Sequence, residues 1–151
     1  MGDRALNIKD LSNGGRRLAQ TRVWRLLDAN ANRAREGLRV IEDTARFVLA
    51  QPRASSALRH LRHRLDHLVR QNYGALLKHR DVENDSGRQN PSARHLQGVS
   101  SLMAANFKRC EEALRVLEEY GRVLSPKIVR GIQEIRFNVY QWEKKLLQPR
   151  S

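Results

Sequence analysis

Three common structural features have no basis in this sequence: a disulfide, a cluster of metal-binding cysteines and a long apolar run. The single cysteine, Cys110, has no partner for an internal disulfide and belongs to no set of thiols for zinc. No apolar run is long enough for a membrane span or a secretory signal, so we expect a cytoplasmic protein. Polar and apolar residues do not alternate as in half-buried strands. The missing alternation of polar and apolar residues favours a helical fold.

Acidic residues are also in deficit. The 151 residues include 29 Lys and Arg against 16 Asp and Glu, which gives a formal net charge of +13. Most of the basic residues are arginine, whose planar guanidinium binds phosphate through two hydrogen bonds. The charge therefore predicts a phosphorylated partner, and composition leaves nucleic acid and a small phosphate ester open.

Helical periodicity, by contrast, runs along nearly the whole chain. We expect a polar, flexible segment over residues 1–20 and a single helical domain over residues 21–147. A long loop, Lys78–Gln97, divides the domain into two halves. Four long helices are predicted. The first runs from about Thr21 to the residue before Pro52, and the second follows a cap at Ser55 or Ser56 and includes Leu68. The third runs from about Val99 to Val123, and the fourth begins at Ser125-Pro126 and ends at about Leu147.

The first and third predicted helices carry nearly the same motif. LDANANRAREGLRVIED occupies residues 27–43, and AANFKRCEEALRVLEE occupies residues 104–119. The helices that follow also match, with Arg62 and Arg136 at corresponding positions. A hairpin cannot bury its apolar face alone, so two similar hairpins would pack together. The sequence thus predicts an all-α bundle of about four long helices built by internal duplication. The alternative is the chance similarity of two amphipathic helices.

Each copy of the motif places an asparagine and an arginine in its apolar arc, at Asn30 and Arg33 and again at Asn106 and Arg109. An arginine on an apolar face is unfavourable unless an anion pairs with it. Two such pairs predict a polar cavity between the hairpins, and Gly37 would let a backbone or a ligand approach closely there. The alternative is a network of Asn, Arg and Glu that fixes helix register and binds nothing.

Other charged residues are predicted around this cavity. Glu36 and Glu112 lie one turn beyond the arginines and would hold them when the site is empty. Arg62 and Arg136 would complete a ring of cations for an anion. A separate group of polar residues of the first helix is predicted to form a solvated, salt-bridged face: Asp28, Asn32, Arg35, Arg39, Glu42, Asp43 and Arg46.

The long loop offers ligands for a cation and for phosphate. Asp81 and Asp85 are candidate magnesium ligands, and Arg80 beside them is a candidate phosphate ligand. A Ser86-Gly87 turn would present backbone amides to phosphate. No G-x-x-x-x-G-K-[ST] pattern occurs in the sequence, so the loop by itself is a weak indication of nucleotide binding.

DANANRAREGLRVIEDTARF (residues 28–47), together with NFKRCEEALRVLEEYGR (residues 106–122), resembles a small all-helical hydroxymethylpyrimidine phosphate kinase domain of bacterial thiamine synthesis. The resemblance covers about Val23 to Trp142. That domain is usually fused ahead of a thiamine phosphate synthase barrel, and this chain ends in LLQPRS, about where a linker to the barrel could begin.

The resemblance implies an ATP-dependent phosphotransferase that converts 4-amino-5-hydroxymethyl-2-methylpyrimidine phosphate into the diphosphate. It implies ATP and Mg²⁺ as cofactors, and a thiamine phosphate synthase domain or protein as a partner. Catalysis of this kind is mainly positioning and charge neutralisation, which arginines in a cavity and a loop-bound Mg²⁺ would supply.

Roles for individual residues follow from position. Arg33 and Arg109 would bind the phosphates of substrate and nucleotide, one ligand in each half, while Asn30 and Asn106 would orient them. The candidates for holding magnesium or accepting the hydroxymethyl proton are Asp81 and Asp85, and the competing candidates for a general base are Glu36 and Glu112.

Two alternatives belong to other functional classes. The net charge and the arginine-rich segment Arg59–Arg70 would suit a basic helical module that binds nucleic acid. Against this, the sequence has no helix-turn-helix spacing, zinc motif or RNA-binding signature. The second alternative is a scaffold bundle without enzymatic activity, which predicts no ligand at Asn30 and Arg33.

Overall fold

A computed structural model of the chain describes residues 16–89 and 95–148. These residues contain helices and turns but no strand, which confirms the all-α expectation. A turn of π-helix, Thr44–Val48, extends the first helix, and a 3-10 turn, Ser86–Gln89, follows the third. The α-helices are α1 (Arg16–Asp43), α2 (Pro52–Arg70), α3 (Tyr73–His79), α4 (Val99–Leu124) and α5 (Pro126–Leu147).

The helix boundaries differ from the predicted ones at three places. Helix α1 begins at Arg16, before the predicted start near Thr21, while residues 1–15 lie outside the described residues and the flexibility of the N-terminal segment stays a prediction. Helix α2 begins at Pro52 rather than at Ser55 or Ser56, because a proline at the first position is preorganised for a helix. Helix α3 was not predicted, since seven residues are too few to show periodicity.

The turn between α4 and α5 has the predicted cap residue with an unpredicted partner. Ser125 is the N-cap of α5 and Pro126 is the first helical residue. The Ser125 hydroxyl does not bond to the helix backbone; instead Asn72 Nδ2 donates to Ser125 Oγ at 3.0 Å. This bond ties the α2–α3 turn to the α4–α5 turn, so the two hairpins are joined at one end of the bundle.

Helices α1 and α4 pack against each other, α2 packs on α1 and α5 packs on α4; α2 and α5 also contact each other, for instance at Leu68 and Gly131, which closes the bundle. Helices α1 and α4 run in opposite directions, since Gly37 lies beside Asn106 whereas Asn30 shares a cavity with Ala113. A methyl group on Gly37 would lie 3.1 Å from the Asn106 backbone oxygen, which confirms the predicted close approach. Each large core side chain contributes roughly 1.5–3 kcal/mol by its burial. The most completely buried include Leu38, Ile41, Leu58, Leu65, Phe107, Leu114, Leu117, Ile132 and Ile135.

Each hairpin also buries one glutamate against arginines. Glu42 accepts from Arg62 Nε at 2.9 Å, and Glu118 accepts from Arg136 Nε at 2.9 Å. Burial raises the pKa of Glu42, but the Arg62 and Arg59 hydrogen bonds outweigh it and leave that pKa lowered. The predicted solvated face is therefore wrong for Glu42, which is 1% exposed, and for Asp28, which is 5% exposed. The matching pairs fit two similar hairpins, and the duplication itself stays a prediction.

Among the described helices, none combines the length with the apolar character that crossing a bilayer requires.

Candidate functional site

Two adjoining cavities lie along the junction of α1 and α4, and together we call them the cleft. Three residues line both cavities: Asn30, Arg33 and Val116. The α1 cavity, of about 640 Å³, is lined by Arg22, Arg25, Leu26, Asp28, Ala29, Asn30, Asn32, Arg33, Glu36, Arg80, Asp81, Val82, Asp85, Val116 and Tyr120. The α4 cavity, of about 480 Å³, is lined by Asn30, Arg33, Ala105, Lys108, Arg109, Glu112, Ala113 and Val116.

The two cavities use corresponding faces of the two similar helices. The repeat of the sequence pairs the residues that α1 contributes to its cavity with those that α4 contributes to the other. These pairs are Ala29 with Ala105, Asn32 with Lys108, Arg33 with Arg109, and Glu36 with Glu112. Each hairpin therefore presents an arginine and a glutamate, one turn apart, to its own cavity.

The paired asparagines make the same bond but occupy different surroundings. Asn30 Nδ2 donates to the Leu26 carbonyl at 2.9 Å, and Asn106 Nδ2 donates to the Leu102 carbonyl at 2.9 Å. These bonds satisfy one amide donor each and fix the side chain against its own helix. Asn30 is buried and lines both cavities, whereas Asn106 lines neither and lies behind the contact with Gly37.

Arg33 and Arg109 reach the cleft differently from the prediction. Both are exposed, because a long arginine can leave an apolar arc and place its charged end in solvent. Within residues 16–89 and 95–148 neither arginine makes an ion pair or a side-chain hydrogen bond. The predicted clamping by Glu36 and Glu112 is therefore wrong, since both carboxylates line the cleft without a partner among these residues. Both guanidinium groups remain available to an anion.

The predicted ring of cations is not formed. Arg62 and Arg136 line neither cavity, because each is bonded to the buried glutamate of its own hairpin. The Arg136 guanidinium also lies 4.9 Å from the Phe137 ring centroid and bonds to the Tyr140 hydroxyl at 3.3 Å. Each of these two arginines therefore joins the two helices of its own hairpin and does not face a ligand.

A short segment after α3 closes one wall of the α1 cavity. Arg80 donates to both carboxylate oxygens of Asp28 at 2.7 Å, and this bonding raises the Arg80 pKa. Arg25 lies 3.4 Å from Asp81 across the same wall. Arg80 thus lies in the predicted site but already has a carboxylate partner. Sequence reasoning missed Asp28 because its partner is 52 residues away and no local pattern reports it.

Asp81 and Asp85 both line the α1 cavity, as their predicted roles require. Asp81 accepts hydrogen bonds from the side chain and the backbone of Asn84, at 2.9 and 3.0 Å, and these lower its pKa. Asp85 Oδ1 accepts from the Gly87 backbone amide at 2.9 Å. In the part of the chain that the structure describes, no group of three His, Cys, Asp or Glu side chains is placed to hold a metal. Two carboxylates suit Mg²⁺ when phosphate oxygens complete its coordination.

Lys108 is a cation of the α4 cavity that sequence reasoning missed. Its ammonium bonds to Glu111 Oε2 at 3.0 Å and to Glu143 Oε1 at 3.2 Å. Burial raises the pKa of Glu111 to about 7, with a further contribution from the Glu143 carboxyl, although the Lys108 bond opposes the shift. The second Glu111 oxygen, Oε1, is buried without a hydrogen-bond partner among the described residues. The cluster holds Lys108 at the rim of the cavity.

Comparison with known proteins gives a consistent result. A family model described as the ThiD2 family matches residues 25–145. The chain is 39% identical over 127 residues to the thiamine-phosphate synthase of Nostoc punctiforme, across 83% of this chain and 35% of that protein. It is 40% identical over 129 residues to the thiamine-phosphate synthase of a Synechocystis species, across 84% and 37% respectively.

A third relative, the thiamine-phosphate synthase of Rhodopirellula baltica, is 39% identical over 127 residues, across 82% of this chain and 34% of the relative. The chain therefore spans about a third of the length of the curated relatives that it matches. No solved structure matches it.

Proposed function

Because the chain belongs to the ThiD2 family, we propose that it phosphorylates 4-amino-5-hydroxymethyl-2-methylpyrimidine phosphate to the diphosphate with ATP. The relatives named thiamine-phosphate synthase support a role in thiamine biosynthesis. Their greater length supports a thiamine phosphate synthase domain as a partner, on the same polypeptide or on another.

The unpaired state of Arg33 and Arg109 among the described residues is the observation that carries this proposal. A kinase must bring two phosphorylated ligands together despite their mutual repulsion, so it needs cations that are not already neutralised. The two arginines belong to facing helices and border adjoining cavities. Two ligands held there would meet at the shared wall, beside Asn30 and Arg33.

The transfer itself needs no proton to be removed by the protein. An oxygen of the substrate phosphate would attack the γ-phosphorus of ATP, and the bond from that phosphorus to the β–γ bridging oxygen would break. ADP would leave with the electron pair, and the new P–O–P linkage would complete the diphosphate. A phosphate monoester loses its second proton near pH 6, so the attacking oxygen is mostly unprotonated at neutral pH. The barrier is then lowered chiefly by charge neutralisation.

This chemistry assigns a role to each set of cleft residues. Arg33 and Arg109 would bind phosphate oxygens, and the Asn30 amide would orient the groups at the shared wall. Asp81 and Asp85 would hold Mg²⁺ together with phosphate, and the ion would supply further charge neutralisation when bound. Glu36 and Glu112 would bind polar groups of the ligands. A general base would matter only if the free pyrimidine alcohol were the acceptor.

The test is ADP release by the purified protein with ATP and Mg²⁺ and one of three additions: the pyrimidine monophosphate, the free pyrimidine alcohol, or nothing. We expect ADP with the monophosphate only. If a protein shown by circular dichroism to be helical releases no ADP with any of them, the kinase proposal is wrong. Binding of any oligonucleotide that weakens steeply with salt would then favour the nucleic-acid module.

A further inference from the structure

The two cavities differ in charge although corresponding helix faces line them. The α4 cavity is lined by three cations, Arg33, Lys108 and Arg109, and by one carboxylate, Glu112. Two further carboxylates, Glu111 and Glu143, pair with Lys108, so Arg33 and Arg109 carry the positive charge that no described residue neutralises. The α1 cavity balances its charges, since Arg22, Arg25, Arg33 and Arg80 face Asp28, Glu36, Asp81 and Asp85. The smaller cavity therefore has two guanidinium groups without a described partner against one carboxylate, an arrangement that suits a compact dianion such as a phosphate monoester.

One pair of corresponding positions gives the α4 cavity a further hydrogen-bond donor. Where α1 has the neutral Asn32, α4 has Lys108, and both line their cavities. An ammonium has three donors, and two of those of Lys108 bond to Glu111 and Glu143. The third donor remains for a ligand, and the two carboxylates fix the ammonium at the cavity rim. Lys108 and Arg109 line the same cavity, so both would offer charged donors to one phosphate.

The α4 cavity also has the means to recognise a small ring. Its wall includes an aliphatic part, formed by Ala105, Ala113 and Val116, beside the Asn30 amide, and Glu112 adds one carboxylate that has no described ion-pair partner. A carboxylate accepts a hydrogen bond from the exocyclic amino group of an aminopyrimidine. Phosphate at one end and an amino group at the other would fix the orientation of the ring.

The α1 cavity has the features that a magnesium nucleotide requires. It is the larger of the two, and Asp81 and Asp85 supply its carboxylates. Tyr120, 39% exposed, offers an aromatic ring for stacking on a purine, and the described wall of the α4 cavity has no such ring. Arg33, common to both cavities, lies where the terminal phosphate of the nucleotide would meet the substrate.

We propose that the α4 cavity binds the aminopyrimidine monophosphate, through Lys108, Arg109 and Glu112, and that the α1 cavity binds the magnesium nucleotide beside Tyr120. This assignment rests on the proposed kinase function for its choice of ligands. It adds Lys108 and Glu112 as the residues that determine specificity for the phosphate and the amino group.

Calorimetric titration of each ligand alone tests the assignment without turnover. We expect Glu112→Gln and Arg109→Ala to weaken binding of the pyrimidine monophosphate about tenfold or more and to leave binding of MgADP within about twofold. Glu36→Gln, at the corresponding position of the other cavity, is the matched control and should leave monophosphate binding unchanged. Tyr120→Ala should weaken MgADP binding only. Neither Glu112 nor Arg109 has a partner among the described residues, so both variants should fold normally.

A second titration isolates the contact with the amino group. The monophosphate in which hydrogen replaces the 4-amino group should bind the wild-type protein several-fold more weakly than the parent compound. Glu112→Gln should discriminate less between the two, because its neutral amide accepts a weaker hydrogen bond than the carboxylate. Equal discrimination by both proteins would remove Glu112 from the contact.

The two proposals fail in different ways. Loss of MgADP binding in Glu112→Gln, with monophosphate binding intact, would overturn the assignment even if the kinase reaction were observed. Absence of monophosphate binding to the wild-type protein would overturn it as well. If the predicted pattern of binding were found without ADP release, the assignment of ligands to cavities would stand and the kinase proposal would fail.

Discussion

Arg80 donates two hydrogen bonds of 2.7 Å to the carboxylate of Asp28, although 52 residues separate them in the chain. The pair joins the end of α3 to the middle of α1, and Asp28 is buried beneath it. Both residues line the α1 cavity, as do Asp81 and Asp85 immediately after Arg80. The position of the candidate magnesium ligands therefore depends on this contact, together with the Arg25–Asp81 ion pair across the same wall.

The substitution Asp28→Asn tests that dependence. It keeps the size of the side chain but removes the charge, so Arg80 would be released from α1. We expect the free energy of unfolding to fall by about 1–3 kcal/mol and MgADP to bind more weakly. Asp66→Asn, which removes the more exposed pair with Arg35, is the control and should cost less than about 1 kcal/mol. Equal losses in urea denaturation would mean that the Arg80 contact is no stronger than a surface ion pair.

The arginine that pairs with the buried glutamate of the second hairpin should stabilise the fold more than an exposed arginine does. Arg136→Ala removes the 2.9 Å partner of Glu118, which is 1% exposed and retains only bonds from half-exposed arginines. We expect a loss of about 2–4 kcal/mol in the free energy of unfolding. Arg130→Ala, which breaks the exposed pair with Glu134, should cost less than about 0.5 kcal/mol. Chemical denaturation of both variants gives the comparison, and a small loss for Arg136→Ala would contradict it.

The stability of the fold should depend on pH through Glu111. Its carboxyl has an ordinary pKa of 4.5 when unfolded and about 7 when folded beside Lys108 and Glu143. Between these values the folded state retains a proton that the unfolded state has lost, so the free energy of unfolding falls as pH rises from about 4.5 to 7. Glu111→Gln, which does not titrate, should remove this slope and exceed the wild type by on the order of 1–3 kcal/mol at pH 8. The measurement is the melting temperature of both proteins as a function of pH. If the difference between the two melting temperatures stays constant from about pH 5 to 8, the pKa of Glu111 is not shifted.

The contact of Gly37 with α4 should make this glycine hard to replace. Gly37→Ala places a methyl group 3.1 Å from the Asn106 backbone oxygen and 3.4 Å from Cys110 Cβ, so α1 and α4 must separate slightly. We expect a lower melting temperature despite the better helix propensity of alanine. Gly74→Ala in α3 has nothing within 4 Å and should raise stability by up to about 1 kcal/mol. A stabilising Gly37→Ala would show that the helices have room to spare.

The arginines of the cleft should affect turnover and not folding. Arg33→Ala and Arg109→Ala should each lower kcat/KM for ADP release about a hundredfold or more, because each removes charge from the transferring phosphates. Melting temperatures should stay within a degree or two, since neither arginine bonds to a described residue. Arg53→Ala is the matched control: Arg53 is exposed, makes no ion pair with a described residue and lines neither cavity. An unchanged rate in Arg33→Ala would exclude it from the site.

Periodicity and turn chemistry were enough to predict the long helices and the all-α class, because Pro126 and the apolar stripes act locally. Periodicity also predicted that Asn30, Arg33 and Arg109 lie at one cleft, since residues at helical spacing share a face. Periodicity says which face a residue occupies but not how far its side chain reaches. The pattern therefore places Arg33 in the apolar arc of its helix, although its side chain is exposed.

The errors about which charged residues face solvent or a ligand come from ion-pair partners that are distant in the sequence. Glu42 and Asp28 looked like surface charges, because the arginines that neutralise them lie in later segments of the chain. Arg62 looked available for a ligand for the same reason. Only a folded chain shows which opposite charges meet.

The contact at Gly37 has a consequence for the geometry of any reaction in the cleft. Helices α1 and α4, which carry Arg33 and Arg109 respectively, approach closely at Gly37, so the separation of these helices limits how far apart the two guanidinium groups can hold phosphates. A side chain at position 37 would push α4 away from α1, and Gly37 itself lines neither cavity. Substitutions at position 37 would therefore alter the distance between the two ligands, whereas substitutions at the cavity rims would alter how strongly each ligand binds.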